Sequence, residues 1–408
     1  PVHVHFIGIG GISMSGLAEI LLSRKFPVSG SDSHESALTD KLAGQGAVIH
    51  YPQRAENITD DIDVVVYTAA IHPDNPEFRA AQEKNLPMLT RAQLLGEIMR
   101  NYKEAINVSG THGKTTTTSM ITEILLEAHK DPTVSVGGML KDIGGNIRVG
   151  GQETFVVEAC EYTNSFLSFF PTIEVILNVE ADHLDFFKDI DDIRHSFKLF
   201  AEKLPEDGLL VINKDIKHSE YFTQALKCRV VTFGHEKDAD YTANFISYDK
   251  FAHPSYTLFY KGEELARVEL GVTGEHNIYN SLAAIAVARS LDIPMELILR
   301  GLKHFTGTDR RFQKKGSVNG FTIIDDYAHH PQEIAATIEA AKKYPHRKLW
   351  IVFQPHTYSR TAALLDDFAG ALSQADEIVL ADIYAAREKN TIGISSDDLR
   401  KHMLEQNT

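Results

Sequence analysis

The sequence predicts an α/β protein of three domains, each built on a parallel sheet, and three observations carry that prediction. Short β-branched runs alternate with helix-permissive stretches along the whole chain. Two glycine-rich turns, at 8–16 and 110–115, each follow an apolar run and precede a helical pattern. The length of 408 residues suits about three ordinary domains. Polar stretches at 100–104 and 304–313 mark the joints, so the expected domains are residues 1–100, 101–305 and 306–408.

In the first domain the runs at 2–7, 27–29 and 64–68 read as strands, with helices between them. In the second, strands are expected at 105–108, 155–157 and 173–177 and a helix at 193–203. Over 241–272, Tyr, Phe and Val alternate with polar residues, the signature of antiparallel strands inserted before Gly274. The third continues with strand 321–324, helix 332–343, strand 349–353, helix 362–372 and strand 377–380.

Forty-one basic residues against 56 acidic ones give a net charge of −15, with no long basic tract, which excludes non-specific nucleic-acid binding. Anionic ligands must therefore be captured locally. No apolar run approaches a membrane span and no basic and apolar leader opens the chain, so no membrane insertion is expected and the cytoplasm is the expected compartment. The chain starts at Pro1 without methionine, and a trimmed end is expected. Cys160 and Cys228 are too few for a disulfide framework or a zinc site.

The sequence Gly110-Thr111-His112-Gly113-Lys114-Thr115-Thr116 lies between a strand and a helix, where unpaired backbone N–H groups and the helix dipole face an anion. Lys114 is placed to neutralise outer phosphates and Thr115 to offer its hydroxyl to Mg²⁺, which points to a nucleoside triphosphate. The usual pattern has a glycine where this chain has Val108, so the loop is a shortened form.

A second cradle opens the chain. Gly8-x-Gly10-Gly11-Ile12-Ser13 ends the first strand, and Asp32 closes the second at the distance where a carboxylate meets ribose hydroxyls. Ser13 departs from the dinucleotide fingerprint, so the pattern implies a diphosphate on a helix N-terminus rather than a particular cofactor. Two nucleotide sites in one chain suit an enzyme that joins a nucleotide-linked substrate to something else at the expense of ATP.

Glu158 ends one apolar strand, and Asn178, Glu180, Asp182, His183 and Asp185 cluster just past another. Ligands of open α/β sheets lie beyond those strand ends, and acidic oxygens there suit Mg²⁺, with an imidazole for a second cation. In the third domain the loops at 325–331 and 354–360 each join a strand to a helix. Arg360 is a natural fork for a carboxylate, and Arg310 or Arg311 for phosphate. His329, His330 and His356 read equally as reacting groups and as packing or capping residues.

Taken together, the segments 5–18, 110–118, 158–161, 178–185, 276–280, 310–312, 326–331 and 353–361 resemble the Mur ligase family, which builds the peptide stem of bacterial cell-wall precursors. The resemblance spans essentially the whole chain. It implies a Rossmann-like N-terminal domain for the UDP-sugar, a central ATPase-like parallel sheet and a Rossmann-like C-terminal domain that brings the amino acid, here shorter than the family's. The implied activity is amide-bond formation between L-alanine and the lactyl carboxylate of UDP-N-acetylmuramate through an acyl phosphate, with ATP and Mg²⁺. Gly8, Gly10, Gly11, Ile12, Ser13, Asp32, Thr68 and Ala69 would take the UDP-sugar; Gly110 to Thr116 with His276, Asn277, Asn280, Arg310 and Asp326 would take ATP. Thr115 and Glu158 would hold one Mg²⁺ and His183 a second, and His356 and Arg360 would meet the amino acid. Lys114, Glu158, His183, Arg310 and His330 form the implied catalytic set, with His183 or His330 receiving the amine proton. Thr357 stands where many relatives carry a second arginine, and Tyr162 where many carry serine. Lys198 only approximates the position of the carbamylated lysine of sister ligases, so that modification is not expected. The competing readings are a ligase attaching a preformed tripeptide to the same sugar, a nicotinamide-dependent oxidoreductase and a nucleotide-binding regulator without turnover.

Overall fold

The computed structural model describes residues 2–386 and 388–406. The first layer is built from β1 (Val4–Ile7), α1 (Ile12–Ser23), β2 (Val28–Ser31), α2 (Ala37–Gly44), β3 (Val48–His50), β4 (Val64–Tyr67), α3 (Pro76–Glu83), β5 (Met88–Thr90) and α4 (Arg91–Met99). Its five strands run parallel in the order β3-β2-β1-β4-β5. The order reverses beside β1, so the turn after β1 opens on a crevice between the carboxyl ends of β1 and β4.

A ten-stranded sheet follows. Its elements are β6 (Glu104–Ser109), α5 (Lys114–Glu127), β7 (Thr133–Leu140), β8 (Gly145–Arg148), β9 (Thr154–Glu158), β10 (Ile173–Ile176), α6 (Ile190–Ala201), β11 (Leu209–Asn213), α7 (Glu220–Thr223), β12 (Arg229–Phe233), β13 (Tyr241–Tyr248), β14 (Pro254–Tyr260), β15 (Glu263–Glu269), α8 (His276–Ser290) and α9 (Met295–His304). The order is β15-β14-β13-β12-β11-β10-β6-β9-β7-β8, parallel from β12 through β7 and antiparallel at both edges. The expected antiparallel insertion is therefore present as β13 to β15. β6, β9 and β10 are almost wholly buried, and Ala105, Ile106, Val108, Phe155, Val156, Val157, Ile173, Val175 and Ile176 fill the space on both faces of the sheet.

The last part contains β16 (Gln313–Val318), β17 (Phe321–Asp325), α10 (Pro331–Lys343), β18 (Trp350–Phe353), α11 (Tyr358–Ala363), α12 (Leu365–Leu372), β19 (Glu377–Leu380) and α13 (Ser396–Gln406). β16 pairs antiparallel with β17, and β18 parallel with β19. The helix expected over 362–372 is instead two helices, broken at Leu364, whose φ of −118° is outside the helical range. α10 starts as its sequence dictates: Pro331 occupies the first turn, and Glu333 accepts the N–H of His329 at 3.0 Å.

The apolar core is continuous across the first expected joint. Phe6, Leu17, Leu95, Met99, Phe155, Phe166 and Phe197 belong to one buried cluster, and Arg24 donates to Tyr102 Oη (3.1 Å) and to the Gly151 carbonyl (3.0 Å). The last part has its own core around Ile338, Phe353, Phe368, Leu372 and Leu399. Among the described residues no helix is long and apolar enough to cross a membrane.

Candidate active site

The loop after β6 sits where the order of the large sheet reverses, between β10 and β9. Gly113 caps α5 with φ of 82°, and a Cβ there would lie 2.5 Å from Asn280 Oδ1, so both the backbone and the approach of α8 demand glycine. Asn178 clamps the loop, accepting the His112 N–H at 2.7 Å and donating to the His112 carbonyl at 3.0 Å.

Lys114 Nζ donates to the carbonyls of Gly110 (2.5 Å) and Thr111 (3.2 Å) and to Glu161 Oε2 (3.2 Å). Burial disfavours its ammonium, but the charge of Glu161 outweighs that and raises the pKa. Thr115 Oγ1 donates to Glu158 Oε2 at 2.9 Å, and the Gly137 N–H donates to the same oxygen at 2.6 Å. Lys114, Thr115, Gly137 and Glu158 line a cavity of about 610 Å³ with Thr111, Gly138, His183, Arg310, Arg311 and His329. Ile12, 63% exposed at the start of α1, opens onto the same cavity and brings the N-terminal cradle to it.

Beside it lies a second cavity of about 300 Å³, lined by Gly113, Thr116, His276, Asn277, Asn280, Phe312 and Asp326. Burial, then the neighbouring Arg311, lowers the His276 pKa to about 4, which leaves a neutral ring. Asp326 accepts the N–H groups of Phe312 (2.8 Å) and Ala328 (2.7 Å), and burial raises its pKa. His112 forms the wall shared by both cavities, with Nε2 3.0 Å from Glu180 and Nδ1 3.4 Å from Glu333 on α10. Against the effect of burial, those two carboxylates raise its pKa to about 9.

The third cavity, about 530 Å³, is lined by Tyr162, Asp182, His183, His356, Thr357 and Arg360, and shares Asp182 and His183 with the first. Arg360 donates to Asp182 Oδ1 through Nε (3.4 Å) and Nη2 (3.3 Å). The guanidinium therefore already grips a carboxylate. Burial would raise the Asp182 pKa, but His183 and Arg360 lower it. His183 Nε2 is 3.7 Å from Asp182 Oδ2 and 3.8 Å from Glu161 Oε1, and its ring packs on Tyr162 with centroids 4.6 Å apart.

His330 is placed differently from the reacting group expected in the sequence. It is 4% exposed beneath His112, its Nε2 lies 3.2 Å from the Ala181 carbonyl, and it lines none of the three cavities. In the N-terminal cradle, Asp32 accepts the N–H of Gly10 (2.8 Å) and Ser33 (2.7 Å), so its carboxylate holds the glycine turn itself. Thr68 and Ala69 follow β4 across the crevice, and Thr68 Oγ1 accepts the Ala70 N–H at 3.2 Å. Lys198 faces elsewhere, over the Tyr221 ring. Cys160 is half-buried, and desolvation pushes its thiol up to about 11 and keeps it protonated.

Three participants were missed by sequence reasoning. Glu333 was hidden in an ordinary helix start, although its place two residues after Pro331 is a capping signal. Gly137 and Gly138, adjacent inside a strand, signal close backbone approach. The pairing of Asp182 with Arg360, 178 residues apart, leaves no local trace.

Family models match nearly the whole chain: the Mur ligase family catalytic domain over residues 3–103, the Mur ligase middle domain over 108–288 and the Mur ligase glutamate ligase domain over 310–407. The UDP-N-acetylmuramate–L-alanine ligase of Lachnospira eligens is 66% identical over 400 residues, covering 98% of this chain and 87% of the relative. That of Agathobacter rectalis is 59% identical over 406 residues, covering 100% and 88%. Among solved structures, the UDP-N-acetylmuramate–alanine ligase of Thermotoga maritima superposes with a TM-score of 0.78 at 31% identity, covering 100% of this chain and 89% of that one. The murein peptide ligase of Psychrobacter arcticus shares the fold, with a TM-score of 0.72 at 24% identity and coverage of 93% and 84%.

Proposed function

The chain belongs to the Mur ligase family, and we infer that it is an ATP-dependent ligase that joins L-alanine to the lactyl carboxylate of UDP-N-acetylmuramate. The observation that carries the residue assignments is the line of three contiguous cavities, with Ile12, next to the glycine turn of the N-terminal sheet, lining the middle one. Residues 1–100 are the UDP-sugar domain, 101–305 the ATP domain and 306–408 the amino-acid domain, and the reaction takes place in the cytoplasm.

The smaller cavity takes the nucleoside of ATP, with Asp326 towards the ribose and His276, Asn277 and Asn280 towards the base. The loop 110–116 holds the phosphates. Thr115 and Glu158 share hard oxygen donors at hydrogen-bond distance, a donor set that fits Mg²⁺; when bound, the ion supplies charge neutralisation between phosphate oxygens. Gly8, Gly10, Gly11, Ile12 and Ser13 bind the diphosphate of the UDP-sugar, and Thr68 and Ala69 flank it.

The γ-phosphoryl group passes to a carboxylate oxygen of the lactyl group, giving an acyl phosphate and ADP. Lys114 and Arg310, which both line the cavity, stabilise the spreading negative charge. Lys114 exchanges its Glu161 partner for phosphate oxygen, so Glu161 keeps the ammonium charged and aimed before ATP arrives. Arg360, with His356 beside it at 3.1 Å, orients L-alanine through its carboxylate. The neutral amine attacks the acyl carbon, the bond to the phosphate oxygen breaks and inorganic phosphate leaves. His183, where the phosphate and amino-acid cavities meet, receives the amine proton; its Nε2 lies 3.7 Å from Asp182 Oδ2 and 3.8 Å from Glu161 Oε1.

Phosphate release with ATP, Mg²⁺ and UDP-N-acetylmuramate tests the reading. It is expected to depend on L-alanine. Release that requires a tripeptide instead, or no release with all substrates present, overturns it.

A further inference from the structure

The far end of the phosphate-loop helix carries a second constellation. Glu123 and Glu127 lie in the last turns of α5, Asp142 lies in the turn between β7 and β8, and His304 ends α9. One carboxylate oxygen each from Glu123 and Asp142 and a ring nitrogen of His304 lie within 4.8 Å of one another. Glu123 is 3% exposed, and its Oε1 has no hydrogen-bond partner. Glu123 also stands within hydrogen-bonding reach of Asp142, and two facing carboxyls must share either a proton or a cation. Burial, with Asp142 and Glu127 nearby, pushes its carboxyl up to about 8.

We propose that Glu123, Asp142 and His304 bind a first-row divalent transition-metal cation at a site separate from the catalytic one. Two carboxylates and one imidazole match the ligand preferences of Zn²⁺, Mn²⁺ or Co²⁺ better than those of Mg²⁺, which favours oxygen ligands alone. Coordination at about 2.0–2.2 Å needs the donors to close by roughly 1 Å. Asp142 and His304 are exposed, so their side chains can move towards the fixed Glu123. His304 Nε2 is 3.6 Å from Asp142 Oδ2, and Nδ1 is 4.0 Å from Glu127 Oε1. Glu127 thus stands on the imidazole's other side, the arrangement that orients a metal-binding histidine, and Arg300 holds Glu127 from behind at 3.7 Å. The cation would fasten α5 and the β7–β8 turn to the end of α9, immediately before the segment 305–312 that borders the ATP cavities.

The test is a Co²⁺ titration of chelator-stripped, nucleotide-free protein, followed by visible absorption and calorimetry. Glu158→Gln, which removes the catalytic carboxylate ligand, is expected to retain one equivalent with its cobalt absorption band. His304→Ala is expected to lose that equivalent, and Glu127→Gln to bind about tenfold more weakly. Asp142→Asn, at an exposed position, guards against a folding artefact and is expected to behave as His304→Ala does. Binding by His304→Ala equal to that of the unaltered protein, or no binding by Glu158→Gln, overturns the proposal.

Discussion

Replacing Glu333 by glutamine tests how the phosphate loop is coupled to the C-terminal part. His112 stands between Glu180 at 3.0 Å and Glu333 at 3.4 Å, and the two raise its pKa from 6.5 to about 9. That rise corresponds to on the order of 3 kcal/mol. Because the folded-state value lies above the unfolded one, the stabilisation is complete below pH 6.5 and is lost as the pH rises through about 9. Glu333→Gln removes one of two comparable partners, so the His112 titration midpoint is expected to fall by about one pH unit, roughly 1.4 kcal/mol. The assay is NMR titration of the histidine ring signals, with the His112 resonance identified by its absence in His112→Gln. A midpoint at or below 6.5 in the unaltered protein, or one that Glu333→Gln leaves in place, refutes the reasoning.

Lys114→Ala is expected to lower phosphate release at least about a hundredfold while calorimetry shows UDP-N-acetylmuramate binding unchanged; loss of both would mean that the two cradles are not independent. A Cβ on Gly137 would lie 2.7 Å from Glu158 Oε2, so Gly137→Ala is expected to raise the Mg²⁺ concentration for half-maximal phosphate release about tenfold. An unaltered Mg²⁺ dependence would remove Glu158 from the metal site. Arg360→Ala is expected to raise the KM for L-alanine by about 10- to 100-fold with the KM for ATP unaltered, and equal changes in both would place Arg360 outside the amino-acid pocket.

What the sequence made legible was chemistry tied to one strand end. The turn 110–116 and Glu158 could be placed because a buried parallel strand leaves an apolar run, and the polar residues after it must stand at the sheet's ligand-binding edge. β16, Gln-Lys-Lys-Gly-Ser-Val, just past the joint at 304–313, is not legible as a strand because it is an exposed edge with no apolar alternation. β7 and β8 were missed for a related reason: adjacent glycines interrupt the run that would have announced a strand. The break at Leu364 was invisible because the apolar spacing continues through it. Of the site, the charge partners were the hidden part. Glu180 and Glu333 reach His112, and Asp182 reaches Arg360, from elements far apart in the chain, and such pairing is set by packing rather than by any local pattern.

The single apolar cluster running from the N-terminal sheet into the central one contrasts with how the last part is attached. Its own core is separate, and its named bridges to the rest are polar: His112 with Glu333, Asp182 with Arg360, and Lys343 with Tyr248 and Glu275. Grease makes the first two sheets one anvil; the last part is a hammer hung on charges. Salt screens the more exposed Lys343–Glu275 pair far more than the buried His112–Glu333 and Asp182–Arg360 pairs, so added salt should loosen the third part first at its Lys343 edge, with the other two sheets still locked together.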